Sequence, residues 1–534
     1  MQIFARGVIV TNNLTASDSI SGYGAQISNN YNVNAPKIIT LNGVNTFNNN
    51  YNRGLNINSY GAITVNNVTA IANGVSSNQY GVFLSNNGAL PTKPAAITIK
   101  GNNLFGNNGS TNLYVTSLGA ITANNVSAHS SVNLWGALLD NAAGNAAVAL
   151  TGSNYFFYNF NSGLIVLTKG AITISNLTAS NNAGGSAVNL DNTASTSASP
   201  KPVTLNGYVE LHNNTATYAL SIETYGAVIT NNLNAIGNVN GVFVNQNPAT
   251  AVTPANYSMK GVNKFIGNSG VGFSVQSLGI VTLSSVTASQ NFLGGSINTA
   301  FTGSVGNVVL NGSNVFSNNA FGGLQIQAAG TVTINNITAN ANSGGMGVEI
   351  NNTFLGDTMP KAVKFTGTNY FNNNGSTGLY ISSHGTVTLN NINANENLSS
   401  GVYINGSAAS GNTAHVTLTG KNQINNNGSI NIFVLTKGNI TISNLTANQS
   451  ASGQGAYLYN DYVGTINGVT ISGVNSFTNN SLGGLVIYSN GAVTMSKITA
   501  DGNGGAGIFA QTDAAIALTC VSVINNNNYG LTLS

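Results

Sequence analysis

The sequence predicts an all-β fold, a single-stranded parallel β-helix (β-solenoid) of about twenty turns, and three observations predict it. The stretch GAITVNNVTA at 61–70 returns as GAITISNLTA at 170–179 and GTVTINNITA at 330–339. Its leading glycine stands at 7, 61, 119, 170, 226, 279, 330, 385, 438 and 491, so ten units follow one another about 53 residues apart. Each copy is a short β-branched run, an Asn or Gly corner and a second short run, which is strand-and-turn chemistry; no 3.6-residue apolar period competes with it. Finally, each unit divides into two similar halves, the shorter about 22 residues long (97 to 119, 308 to 330, 363 to 385). Three short strands with polar corners fit one such half, and successive turns then stack at about 4.8 Å.

Four motifs fill each unit. The first is the opening stretch. The second is GVFLSNN at 81–87, echoed by GVFVNQN at 241–247 and GVYINGS at 401–407. The third is ITLNGVNTFNNN at 39–50, echoed at 308–319 and 363–374. The fourth is GLIVLTKG at 163–170, echoed at 378–385 and 431–438, and its last Gly begins the next unit. The first and third motifs share one logic, and the second and fourth another. Residues 1–534 therefore read as one continuous solenoid domain in which each turn touches only its neighbours.

Aligned columns give the expected interior. The third motif carries a large apolar residue (Phe47, Phe105, Phe156, Leu211, Phe265, Phe316, Phe371, Ile424, Phe477, Ile524) where the first carries Ala16, Ala70, Ala128 and their equivalents. Alternating large and small residues keep a stacked interior filled. Three residues further on, the third motif always has Asn: Asn50, Asn108, Asn159, Asn214, Asn268, Asn319, Asn374, Asn427, Asn480 and Asn527. The first motif matches it with Asn except at Ser19, Ser131 and Ser450. Stacked amides satisfy one another, so this column reads as a structural ladder. All eight prolines (Pro36, Pro91, Pro94, Pro200, Pro202, Pro248, Pro254, Pro360) fall between the second and third motifs, which puts one variable loop there in each unit. Lys37, Lys93, Lys201 and Lys361 cluster in the same loops.

Composition bounds the function. Charged residues are 5% of the chain, yet 42% of residues are hydrophobic, too many for a disordered polar tract. The net charge of +3 is scattered, so the basic patch that nucleic acid requires is missing. No apolar run approaches the ~18 residues of a membrane span. Cys520 is the single cysteine, which excludes an internal disulfide and a Cys-based metal site. Few charges, almost no Cys and abundant Asn and Thr suit an extracellular or cell-surface protein of bacterial type.

With these motifs and columns in place, the whole chain resembles the pectin-lyase-like right-handed parallel β-helix superfamily. More narrowly, it resembles the Asn/Thr-rich repeat regions of large bacterial surface proteins and adhesins. Right-handedness is implied by that resemblance. The architecture hosts lyases, hydrolases, tailspikes, adhesins and filaments, so function has to come from the residues.

Enzymes on such a scaffold need clustered acids. Most acids here are isolated, among them Asp18, Glu210, Glu349, Asp357, Glu396 and Asp501. One file, Asp140, Leu167, Asp191 and Glu223, falls on successive turns and brings Asp191 and Glu223 together as the weak candidate for a catalytic pair, with His212 the single candidate to support it. Two acids landing in one outward polar file is the plainer explanation. No metal site and no cofactor are expected. The variable position between paired apolar residues is more suggestive, with Phe83, Tyr114, Phe243, Tyr380, Tyr403, Phe433, Tyr457 and Phe509 forming an outward aromatic file suited to stacking on sugar rings or on a neighbouring molecule. The segments 1–7 and 530–534 share the phase of the fourth motif, so neither end shows a polar cap. The expected function is an extracellular structural or adhesive solenoid, a filament subunit or stalk segment whose partner is itself head to tail or further repeats of a longer chain. The alternative is a polysaccharide-binding β-helix or a polysaccharide-cleaving one (a glycoside hydrolase or polysaccharide lyase).

Overall fold

Each turn begins where a glycine leads into an apolar–variable–apolar run, and that alternation makes a strand with one face inward. The computed structural model describes residues 1–246, 249–353, 360–409, 414–464 and 466–534. Pro248 and Asp357 lie outside them. Among the described residues every element is a β-strand, and the fold is a parallel β-solenoid. It comprises two units, Met1–Gln276 and Ser277–Ser534.

In each unit one sheet collects the strands of the second and fourth motifs, eleven in the first unit and ten in the second among the described residues. The other sheet collects both strands of the first and third motifs. Partners run parallel and in register. In the first unit Ile27, Ile57, Leu84, Val115 and Leu139 stack as one file, each buried at 1% exposure or less. The two short strands of a motif meet at a corner made by a single left-handed residue, such as Asn67 (φ 43°) in the first motif and Gly43 (φ 70°) in the third. Asn tolerates that conformation better than most residues, and Gly adopts it freely. In places the two strands are continuous across the corner, as in Val203–His212, with a register shift between Ser175 and Leu177 of the partner strand.

The interior alternates as its columns require. Phe105 faces Ala70 and Ala128, and Phe156 faces Ala128 and Ala179, all buried. The Asn column is hydrogen-bonded turn to turn. Asn50 Nδ2 donates to Asn73 Oδ1 at 2.8 Å, Asn73 to Asn108 at 3.0 Å, and Asn159 to Asn182 at 2.9 Å. The file continues through Asn214, Asn238 and Asn268 in the first unit, and through Asn319, Asn342, Asn374, Asn397 and Asn427 in the second. Each rung's Oδ1 also accepts the backbone N–H of the neighbouring rung, as Asn73 does from Asn50 at 3.1 Å. The residue before each rung is left-handed, for example Asn49, Asn107 and Asn318. Asn abundance therefore has two causes, a ladder and the corner that delivers it.

Two ladder positions are occupied by residues the column reading misses. Where the first motif has Ser131, Asn112 reaches in instead. Its Oδ1 accepts from Asn108 Nδ2 at 2.8 Å, and its Nδ2 donates to Asn159 Oδ1 at 3.3 Å. Asn431 does the same beside Ser450, accepting from Asn427 at 2.8 Å and donating to Asn480 at 3.2 Å. The place held by Asn112 and Asn431 is Gly in nearly every other turn, with Ala187 and Ala219 as small exceptions. A Cβ at Gly54 would stand 2.7 Å from Asn73 Nδ2, and one at Gly484 2.8 Å from Asn503 Nδ2. The ladder amide and a long side chain at the glycine compete for one space, so Asn112 and Asn431 stand where the ladder position is Ser.

The last turn departs from expectation. Asn526, not Asn527, receives the Nδ2–H of Asn503, at 2.8 Å, and Asn527 is exposed. Val523, not Ile524, pairs with Ala500, and Ile524 is 51% exposed. The reason is the corner. Cys520 is left-handed (φ 55°) and leads directly into the second strand, as Asn67 does, whereas the third motif inserts one more residue after its Gly. Cys520 is exposed. The described prolines all lie outside strands.

The loops are fastened by a second polar column. Asn86, Asn141, Asn192 and Asn460 each donate Nδ2–H to a carbonyl at the far end of their loop: Ala95, Ala146, Lys201 and Asn467, at 2.6–2.8 Å. Both amide hydrogens are used, the second on Gly61, Gly119, Gly170 and Gly438.

Candidate ligand-contact face

The variable residue of each apolar–variable–apolar run points outward, and in-register pairing aligns these residues along one face of the first sheet. In the second unit Tyr380 pairs with Tyr403, Tyr403 with Phe433, and Phe433 with Tyr457. Their rings stack with centroids 5.2, 4.9 and 5.1 Å apart and interplanar angles of 18°, 24° and 15°. Register brings Val486 next, and Tyr488, two residues on, bridges the gap at 5.8 Å to Tyr457 and 5.3 Å to Phe509. All six rings are half-buried, with one edge or face left to solvent. Burial and then the Tyr380 phenol push the Tyr403 hydroxyl above its ordinary value; burial, Tyr488 and Tyr459 do the same at Tyr457. Both hydroxyls stay protonated and can donate hydrogen bonds at neutral pH.

A polar end adjoins this track. Gln325 and Glu349 precede Tyr380 in the same outward file. Gln325 Nε2 donates to Glu349 Oε2 at 3.2 Å. Beside them lies a cleft of about 210 Å³ walled by Phe321 and Met346 and floored by Gly344 and Gly345. Phe292 stacks on Phe321 at 5.4 Å and 8°.

In the first unit the outward column carries fewer rings, and they do not form one stack. Phe83 and Tyr114 meet at 5.1 Å, joined by Tyr80, and the Arg53 guanidinium lies 4.8 Å over Phe83 and 4.9 Å over Tyr80. Leu138 and Ile165 then interrupt the file. Phe243 stands apart, stacked on Tyr218 at 5.1 Å. Tyr80, Tyr218 and Tyr488 are outside the column that the motifs define, and only their aromatic identity near that column could have flagged them.

Asp191 and Glu223 are register partners, as their spacing predicts. Burial and then the Asp191 charge raise the Glu223 carboxyl above the usual range. Asp191 is engaged by its own loop: its Oδ1 accepts from Thr193 N–H at 2.8 Å and Thr193 Oγ1 at 2.6 Å. His212 does not support the pair. It ends a strand of the other sheet, and its Nε2 lies 2.9 Å from Glu210 Oε2. Among the described residues no group of three His, Cys, Asp or Glu side chains is placed to hold a metal ion.

No family model matches the chain, and no curated protein does. Two solved structures are similar. One is the A-module of the mannuronan C-5 epimerase AlgE4 of Azotobacter vinelandii, 13% identical, over 74% of this chain and 90% of that one, with a TM-score of 0.26. The other is the A-module of AlgE6 of the same organism, 14% identical, over 74% and 92%, with a TM-score of 0.24.

Proposed function

We propose that the chain is an extracellular structural and adhesive β-solenoid that holds carbohydrate on an outward aromatic track. One observation carries this reading: Tyr380, Tyr403, Phe433 and Tyr457 stack face to face on consecutive turns, and Tyr488 and Phe509 extend them. Rings of this kind bury against the apolar faces of sugar rings, and phenol hydroxyls supply the donors. Gln325 and Glu349 give the track a polar end that sets the direction of a bound chain. Binding, not turnover, is the activity assigned, because Asp191 is held by Thr193 and His212 by Glu210. The bacterial surface setting is part of the same proposal.

Affinity electrophoresis through gels carrying neutral and acidic polysaccharides tests it. The wild-type chain is retarded by at least one polysaccharide, and the double variant Tyr403→Ala, Phe433→Ala is not. Equal retardation of both, or none by any polysaccharide, refutes the track. Loss of measurable turnover in Asp191→Asn and Glu223→Gln would move the assignment to the cleaving alternative.

A further inference from the structure

Lys169 and Lys201 enter one concavity from two pinned backbones. Lys169 follows Thr168, whose Oγ1 donates to the Ala146 carbonyl at 3.1 Å and accepts from Gly170 N–H at 2.8 Å. Lys201 closes the loop that begins at Asn192, and its carbonyl accepts from Asn192 Nδ2 at 2.8 Å and from Thr224 Oγ1 at 3.3 Å. Between them lies a cleft of about 510 Å³ whose other walls are Asn145, Ser195, Thr196 and Ser199.

Three features distinguish this cleft from an ordinary polar surface. Neither ammonium has an acidic partner: among the described residues no carboxylate lies within 4 Å of Lys169 or Lys201, and the one contact of that kind is His212 Nε2 with Glu210. The acids of the adjacent file are turned elsewhere, Asp140 onto Ala142 N–H and Asp191 onto Thr193, while Glu223 faces Asp191. Ser195 is 8% exposed, and its Oγ is buried without a hydrogen-bond partner. A buried hydroxyl left unpaired costs free energy unless something fills the place. The equivalent lysine of a later unit shows what happens without such a cleft. Lys437 donates Nζ–H to the Ala409 carbonyl at 3.0 Å and lies over the Tyr462 ring at 5.9 Å.

We infer that this cleft is an oxyanion site, with Lys169 and Lys201 as its cations and Ser195, Thr196 and Ser199 as hydroxyl donors. Two ammonium groups match a dianionic phosphate, free or as a monoester on a larger ligand, better than a single carboxylate. The site is independent of the aromatic track.

Calorimetric titration of the full chain with inorganic phosphate, at fixed ionic strength, tests it. Phosphate binds, and Lys169→Gln and Lys201→Gln each weaken it about tenfold or more, the loss of one charge-assisted contact. Ser195→Val weakens it several-fold, and Lys437→Gln leaves it unchanged. Acetate binds more weakly than phosphate. A sugar phosphate that binds more tightly than inorganic phosphate identifies a monoester ligand; equal affinities identify free phosphate. Wild-type affinity in both lysine variants, an equal loss in Lys437→Gln, or no phosphate binding by a chain whose circular dichroism is native overturns the site.

Discussion

Replacing Asn112 by Gly removes the side chain that bridges the ladder past Ser131. In the native turn Asn112 Oδ1 accepts the N–H and Nδ2–H of Asn108, at 3.1 and 2.8 Å, and its Nδ2 donates to the His129 carbonyl at 2.8 Å and to Asn159 Oδ1 at 3.3 Å. Asn159 Oδ1 keeps the Ser131 N–H at 3.1 Å. As a donor Asn108 keeps only its bond to the Ala70 carbonyl, at 3.0 Å, while its Oδ1 still accepts from Asn73. Two buried donors of Asn108 lose their partners, at about 1–3 kcal/mol per orphan before a water enters, while the His129 carbonyl keeps the Asn107 N–H at 3.2 Å, so Asn112→Gly costs about 3 kcal/mol. Ser131→Asn alone crowds a second amide into the same space and costs about 2 kcal/mol. The double variant recreates the Gly54–Asn73 arrangement and lies within about 1 kcal/mol of wild type. The coupling energy is then about 4 kcal/mol. Turns of a solenoid couple chiefly to their neighbours, so amide hydrogen exchange around Asn108 and Asn159 reports the effect alongside urea unfolding. Additivity within about 0.5 kcal/mol would refute the claim that the two side chains share one site. Asn431 and Ser450 supply a second, independent cycle in the other unit.

Asn192→Ala releases the carbonyls of Gly170 and Lys201 from the loop anchor, at about 1–2 kcal/mol locally; limited proteolysis should then cut within 193–200, and a wild-type cleavage rate would show that the loop is held otherwise. Glu223 has a folded-state pKa above its unfolded value, so its contribution to stability is full below the ordinary carboxyl range and is lost as pH rises through the raised value. Glu223→Gln should flatten that part of the stability–pH curve, and Asp191→Asn should reduce it; an unchanged slope in both counts against the pair. Phe156→Ala removes the large member between Ala128 and Ala179 and costs about 3–5 kcal/mol by urea unfolding, with a value near 1 kcal/mol showing that the bore collapses around the gap.

The parts of the fold that repeat were readable because repetition averages local noise. Ten aligned copies place Phe105 against Ala70 and Asn50 against Asn73 without any structure. What escaped the columns is what differs by one residue or acts through a pair. The last turn looked like a third motif, yet its corner at Cys520 is one residue shorter, and that single residue moves both the ladder rung and the core position. Ser131 and Ser450 looked like gaps, because their replacements lie about twenty residues earlier, in a different motif, at a position read as Gly. The aromatic face was legible as a file of types but not as a set of contacts. Tyr488 belongs to it through ring reach, and Leu138 divides it through ring absence.

The Gly–Asn exchange also explains where function can reside on this scaffold. The interior of each turn accepts one amide at the ladder corner, a large or small residue opposite, and one residue able to turn left-handed. Those demands leave no choice inside. Outside, the outward file and the loop between the second and third motifs carry no such demand, so residues there can differ at no cost to stacking. Lys169 and Lys437 occupy matching turn positions, but the loop over Lys437 ties its ammonium to a carbonyl, while the loop over Lys169 offers hydroxyls. Gln325, Glu349 and Tyr380 occupy successive places of one outward file, and each changes the chemistry of that face without touching the core. Binding specificity on this solenoid is thus set by which turns carry rings, acids or free lysines outward, and the spacing between such groups is fixed in advance by the ladder within.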